Sequence, residues 1–131
     1  MHLPVSSMGI MNHHNGIILT KDSNLSKLFE EIGQGLNLKF ESDSEISDYL
    51  LKVLDDVFSV IVYDCTNLEQ VSLNWIKIIR RIRPKLPLIV ISKDIDPRVG
   101  GELYDEGTFY YQQQPVNGDV LCDVLAGALN N

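Results

Sequence analysis

Residues 58–64 read FSVIVYD, a nearly unbroken apolar run that stops on an aspartate. A strand with one wet face alternates apolar and polar residues. A continuous run of this length suits a strand covered on both faces, as in the middle of a parallel sheet. Residues 86–92, LPLIVIS, repeat the pattern and stop on a serine. Upstream, GIILT (16–20) and LNLKFES (36–42) read as two further strands, and TFYYQQ (108–113) reads as a fifth.

The segments between these runs carry helical spacing. Leu25, Leu28, Phe29 and Ile32 fall at i, i+3, i+4 and i+7, with Asp22 or Ser23 able to cap the helix and Gly33 and Gly35 to end it. DSEISDYLLKVLDD (43–56) predicts a second helix with Ile46, Tyr49, Leu50, Val53 and Leu54 inward, capped by Asp43 or Ser44. LNWIKIIRRIR (73–83) predicts a third, burying Leu73, Ile76, Ile79 and Ile82. DPRVGGELYDEG (96–107) is a weaker helix interrupted by two glycines. NGDVLCDVLAGALNN (117–131) closes the chain with Val120, Leu121, Val124, Leu125 and Leu129 facing in. Five strands alternating with five helices imply a three-layer α/β domain, a doubly wound parallel sheet with right-handed crossovers. Residues 1–15 show no periodicity and read as a flexible tail, so the domain is expected over 16–131.

The chain has 131 residues, 44% apolar and 22% charged, enough for one core without metal or disulfide staples. Its net charge of −7 disfavours nucleic-acid binding, which needs a basic surface. The basic run Lys77, Arg80, Arg81, Arg83 and Lys85 reads as the solvated face of a helix. No apolar run is long enough to span a bilayer and no secretion signal opens the chain, so a cytoplasmic location is the default expectation. Cys65 and Cys122 are too few and too far apart to suggest a metal site or a disulfide framework. All three histidines lie in the expected tail, so no Ser/His/Asp arrangement converges. No glycine-rich phosphate loop follows any strand, and a catalytic enzyme is not expected.

In an open parallel sheet, sites form beyond the carboxyl ends of the strands. Those ends carry Thr20, Lys21 and Asp22; Asp64, Cys65 and Thr66; Ser92 and Lys93; and Gln113, Gln114 and Pro115. Asp64 lies 42 residues after Asp22, Ser92 lies 28 after Asp64, Gln114 lies 22 after Ser92, and Tyr111 stands three before Gln114. With the stretch EGTFYYQQQP (106–115), this arrangement over about residues 16–130 resembles the receiver domain of bacterial two-component response regulators. The resemblance implies the flavodoxin-like strand order 2-1-3-4-5. It implies a phosphoacceptor at Asp64, a hydroxyl–aromatic switch of Ser92 and Tyr111, and a Mg²⁺ site drawing on Asp22, Asp64 and Thr66.

The departures from that family are equally specific. Its adjacent acid pair after the first strand reads Lys21-Asp22 here, its lysine before the last proline is Gln114, and the small residue after its hydroxyl is Lys93. The Met-Pro and Gly that usually follow the phosphoacceptor do not occur in CTNLEQVS (65–72). A lysine about 4 Å from a carboxylate site costs a cation on the order of a few kcal/mol, and about 3 kcal/mol weakens affinity roughly 100-fold. Gln114 can donate a hydrogen bond but cannot neutralise a phosphoryl group. Lys21 or Lys93 is expected to pair with Asp64 and mimic the neutralised state. Any Mg²⁺ site is therefore expected to be weak.

The expected function is an atypical receiver of a signalling or transcriptional regulator, acting through protein–protein contacts and dimerisation with Asp64 phosphorylation impaired or absent. Its partners would be an output domain, a histidine kinase or an adaptor, met through the fifth strand and the helices flanking it, with no membrane and no nucleic acid bound by this domain. Two readings stand beside it: a phosphorylatable receiver with an unusual metal pocket at Asp64, and a flavodoxin-like module for a small anionic ligand. A redox role for Cys65 is disfavoured, because the charge of Asp64 raises the thiol pKa.

Overall fold

A computed structural model of the protein describes residues 14–66, 73–93 and 110–130. The elements run β1 (His14–Leu19), α1 (Ser23–Gly35), β2 (Leu38–Asp43), α2 (Ile46–Asp55), β3 (Val60–Asp64), α3 (Leu73–Ile82), β4 (Leu88–Ser92), β5 (Tyr110–Gln113) and α4 (Gly118–Leu129). The strands form one sheet in the order β2-β1-β3-β4-β5, and every neighbouring pair is parallel. This is the expected architecture. The helix expected over 96–107 lies outside the described residues, and among those residues there are four helices.

Side chains alternate across a strand, so an all-apolar strand feeds both faces of its sheet. Ile17, Leu19, Ile61, Tyr63, Leu88 and Val90 point one way, onto Tyr49 and Val53 of α2 and Ile76 and Ile79 of α3. Ile18, Val60, Val62, Ile89 and Ile91 point the other way, onto Leu25 and Phe29 of α1 and Leu121 and Leu125 of α4. Every residue of β3 and β4 is buried. The Tyr49 hydroxyl donates to the Val62 carbonyl at 3.0 Å and ties α2 to the central strand, and burial pushes that phenol far above its ordinary pKa.

Several local expectations are corrected. β1 begins at His14, inside the stretch read as tail, and the His14 ring bonds the Ser59 hydroxyl at 3.0 Å. α1 ends at Gly35, as expected, with Gly33 inside its last turn, and the left-handed residue of the following turn is Asn37, at φ 56°. Gly33 is needed for a close approach, since a Cβ there would lie 2.2 Å from the Leu38 carbonyl oxygen. Neither Asp43 nor Ser44 caps α2. Glu45 holds that position without a side-chain bond, while Asp43 ends β2 and pairs with Lys52. Leu54, Ile82 and Val120 were expected inward but are 37%, 43% and 38% exposed, because each sits at the edge of its helix's apolar stripe. Cys122 is half-buried, and the side chain of Leu73 lies outside the described residues. No helix among the described residues is long and apolar enough to cross a membrane.

Candidate functional site

The parallel register brings the carboxyl ends of β1, β3, β4 and β5 to one edge: Leu19 opposite Tyr63, Asp64 opposite Ile91, and Ser92 opposite Gln113. Among the described residues, Asp64, Ser92 and Thr20 are the buried polar side chains there, 2%, 2% and 7% exposed. A carboxylate so far from water needs its lone pairs met by donors.

Both oxygens of Asp64 are engaged. Thr20 Oγ1 donates to Oδ2 at 2.6 Å, and the Thr66 backbone N–H donates to Oδ1 at 3.0 Å. The Thr20 hydroxyl in turn accepts from the Asp22 N–H at 3.0 Å. Thr66 Oγ1 accepts from Gln114 Nε2 at 3.1 Å, and the Gln114 N–H bonds the Ser92 carbonyl at 2.7 Å. A continuous polar chain thus runs from Asp22 N–H through Thr20, Asp64 and Thr66 to Gln114, joining the ends of β1, β3, β4 and β5. The Gln114–Pro115 bond is cis.

The structure unites Asp64, Thr66 and Gln114 as expected and disperses three other candidates. The Asp22 carboxylate is the N-cap of α1, accepting from the backbone N–H groups of Asn24 and Leu25 at 2.9 and 3.3 Å. It serves the helix start because the first turn leaves its N–H groups without partners. Lys21 and Lys93 are both exposed and neither makes an ion pair with Asp64, so the expected built-in counterion is corrected. Lys93 contributes a backbone carbonyl instead, which accepts from Gln113 Nε2 at 3.0 Å.

Ser92 neighbours Cys65, whose thiol donates to the Ile91 carbonyl at 3.2 Å. Burial first and the charge of Asp64 second push that thiol up to about 11, partly offset by the hydrogen bond to Ser92. Tyr111 packs on the α2–α3 side of the sheet, and its hydroxyl is buried without a hydrogen-bond partner among the described residues. The residue that spacing did not single out is Thr20. Its signal in the sequence is a lone hydroxyl at the end of an otherwise apolar strand, which becomes informative only once the register sets it against Asp64.

The described donor set fits Mg²⁺ poorly. That ion takes hard oxygen ligands in octahedral geometry, commonly one or two carboxylates with waters. Here the second carboxylate faces the helix start and the first already accepts two hydrogen bonds. Among the described residues no group of three or more His, Cys, Asp or Glu side chains converges.

No protein-family model matches the sequence, and no curated protein matches it. Solved structures do match. The response regulator receiver domain protein (CheY-like) from Methanospirillum hungatei JF-1 superimposes with a TM-score of 0.80 at 16% identity, covering 90% of this chain and 94% of that one. A response regulator from Thermotoga maritima gives 0.79 at 14% identity, over 91% and 99%. The BeF3-activated DrrB receiver domain gives 0.78 at 19% identity, also over 91% and 99%. Matching strand order, two-sided helical cover and overlap along nine-tenths of the chain establish that this protein has the fold of a response-regulator receiver domain.

Proposed function

We propose that this chain is a receiver-type signalling module that works through protein contacts, with Asp64 held in a hydrogen-bonded state that disfavours its phosphorylation. One observation carries the reading: Asp64 is 2% exposed and both of its oxygens accept hydrogen bonds, from the Thr20 hydroxyl and the Thr66 N–H. Phosphoryl transfer depends on positioning and on neutralising charge around the transferred group. Among the described residues the side chains about Asp64 supply hydroxyls and an amide for that task, with no cation: Gln114 donates a neutral hydrogen bond, and Lys21 and Lys93 lie in solvent. The same chain of bonds joins four strand ends, so it favours one arrangement of this edge over a two-state switch. The partners in this reading are protein surfaces: an output domain, a kinase, an adaptor or a second copy. That a receiver fold can be one piece of a longer chain is illustrated by NtrX from Brucella abortus, where the match covers 90% of this chain and 27% of that one.

The test is a titration with Mg²⁺ and beryllofluoride, a phosphoryl mimic, followed by Trp75 fluorescence and by amide shifts around Asp64. Trp75 lines the same small space as Tyr63, the residue before Asp64. The expected result is no saturable change up to about 10 mM metal, a ceiling corresponding to binding weaker than roughly 3 kcal/mol. Thr20→Asp, which sets a second carboxylate against Asp64, is expected to gain the response. Saturation of the unaltered chain at low millimolar metal would favour the phosphorylatable reading and overturn this one.

A further inference from the structure

At the opposite pole, where the strands begin, the surface opens into a groove of about 770 Å³. Its walls include Val57 and Phe58 from the α2–β3 turn, Ile82 and Leu86 from the end of α3 and the turn after it, and Leu129 of α4. Val57 is 88% exposed and Ile82 is 43% exposed. Clustered apolar exposure of this kind is costly on a free surface and characteristic of one that is covered. The volume falls within the roughly 300–1,000 Å³ of binding pockets.

The walls are braced. The Arg83 guanidinium donates to the Leu54 carbonyl at 2.8 Å, tying the end of α3 to the end of α2. The Arg80 guanidinium donates to the Leu86 carbonyl and holds the turn that forms one lip. The basic run is therefore not simply a solvated helix face, since two of its members hold the shape of the groove. A groove held open in advance costs a partner little ordering entropy.

Charge identifies the partner's chemistry. Residues 77–85 contain five of the chain's 11 Lys and Arg and no Asp or Glu, in a protein of net charge −7. Lys85 and Arg83 line the groove, with His14 at its edge, and among the described residues Asp56 is the one acid in its lining. The geometry points to a docking site at this pole for an acidic amphipathic segment of a partner protein, its apolar side chains in the groove and its carboxylates against Lys85 and Arg83. A nucleic acid is disfavoured by the apolar lining and by the net charge. A second copy related by a two-fold axis would set this basic rim against its own duplicate. The inference is independent of the state of Asp64, which lies at the other end of the strands.

The experiment uses the full chain, ¹⁵N-labelled, and a probe peptide of about 16 residues built from Leu and Glu, with Leu at i, i+3, i+4 and i+7. Amide shifts centred on Val57, Ile82 and Lys85 are expected, with a Kd on the order of 100 µM. Ile82→Glu and Lys85→Glu, both at exposed positions, are each expected to weaken binding about tenfold or more with an unchanged thermal midpoint. Five results would each overturn the proposal. These are no shifts up to about 1 mM peptide, equal shifts from a Leu/Lys peptide, shifts centred elsewhere, and concentration-dependent shifts without peptide, which assign the groove to a second copy. The fifth is binding that appears only after removal of residues 1–12, which assigns the groove to the chain's own N-terminal segment.

Discussion

Thr20→Val removes one hydroxyl from the edge of the sheet and keeps the β-branched shape of the side chain. Two hydrogen bonds end with it: the donation to Asp64 Oδ2 at 2.6 Å and the acceptance from the Asp22 N–H at 3.0 Å. The first is charge-assisted and buried, and such bonds contribute about 1.5–3 kcal/mol, because the abandoned carboxylate oxygen keeps its desolvation cost. The second is an ordinary bond at a half-buried N–H, contributing about 1 kcal/mol or less. The sum, about 2–4 kcal/mol, is a large share of the roughly 5–15 kcal/mol by which a domain is stable. It corresponds to a thermal midpoint lower by roughly 6–16 °C for a chain of this size. Denaturant unfolding at neutral pH measures the loss directly, and a double-mutant cycle with Asp64→Ala isolates the pair. On the Asp64→Ala background the same substitution should cost about 1 kcal/mol or less. A cost under about 0.5 kcal/mol in the unaltered chain, or an equal cost on both backgrounds, would refute the view that Thr20 holds Asp64.

The remaining predictions concern the neighbouring devices. Asp22→Ala should cost about 0.5–2 kcal/mol as a lost helix cap, while amide shifts of Asp64 and Thr66 stay nearly unchanged; a large shift at Asp64 would return Asp22 to the pocket. Gly33→Ala should destabilise by about 2–4 kcal/mol, far more than an ordinary exposed helix position, because the new Cβ would meet the Leu38 carbonyl at 2.2 Å; equilibrium unfolding checks it. Cys65, its thiol pushed to about 11, should alkylate far more slowly at pH 8 than the half-buried Cys122, with a thiolate fraction on the order of one in a thousand. The unfolded chain sheds that proton near the ordinary value of 9.0 and the folded chain keeps it to about 11, so this group's contribution is fully present below pH 9 and is lost as pH rises through 11. A midpoint insensitive to Cys65→Ser between pH 9 and 11 would contradict it.

The fold was legible because its signals are local. FSVIVYD and LPLIVIS carry double-sided burial in their own composition, and β3 and β4 are buried at every residue. Leu25 and Phe29, Tyr49 and Val53, and Leu121 and Leu125 lie four apart on their helices, and all are buried. The edges of those stripes were less legible. Leu54, Ile82 and Val120 carry the right period, but whether a flanking position is covered depends on the tilt of the helix over the sheet. No window of sequence contains that tilt.

The sequence was enough to bring Asp64, Thr66, Ser92 and Gln114 to one edge, since the carboxyl ends of the strands in a parallel sheet lie together. The directions of the side chains there were another matter. Asp22 stands next to the pocket along the chain, yet its carboxylate turns to the free N–H groups of α1, while Lys21 turns to solvent. Thr20, one residue earlier, faces Asp64 across 44 positions of sequence. Patterns in a chain encode period and order because burial repeats with backbone geometry. Which of three adjacent polar residues meets a buried carboxylate is settled by where β1 yields to α1 against β3, and that junction exists only once the strands are paired.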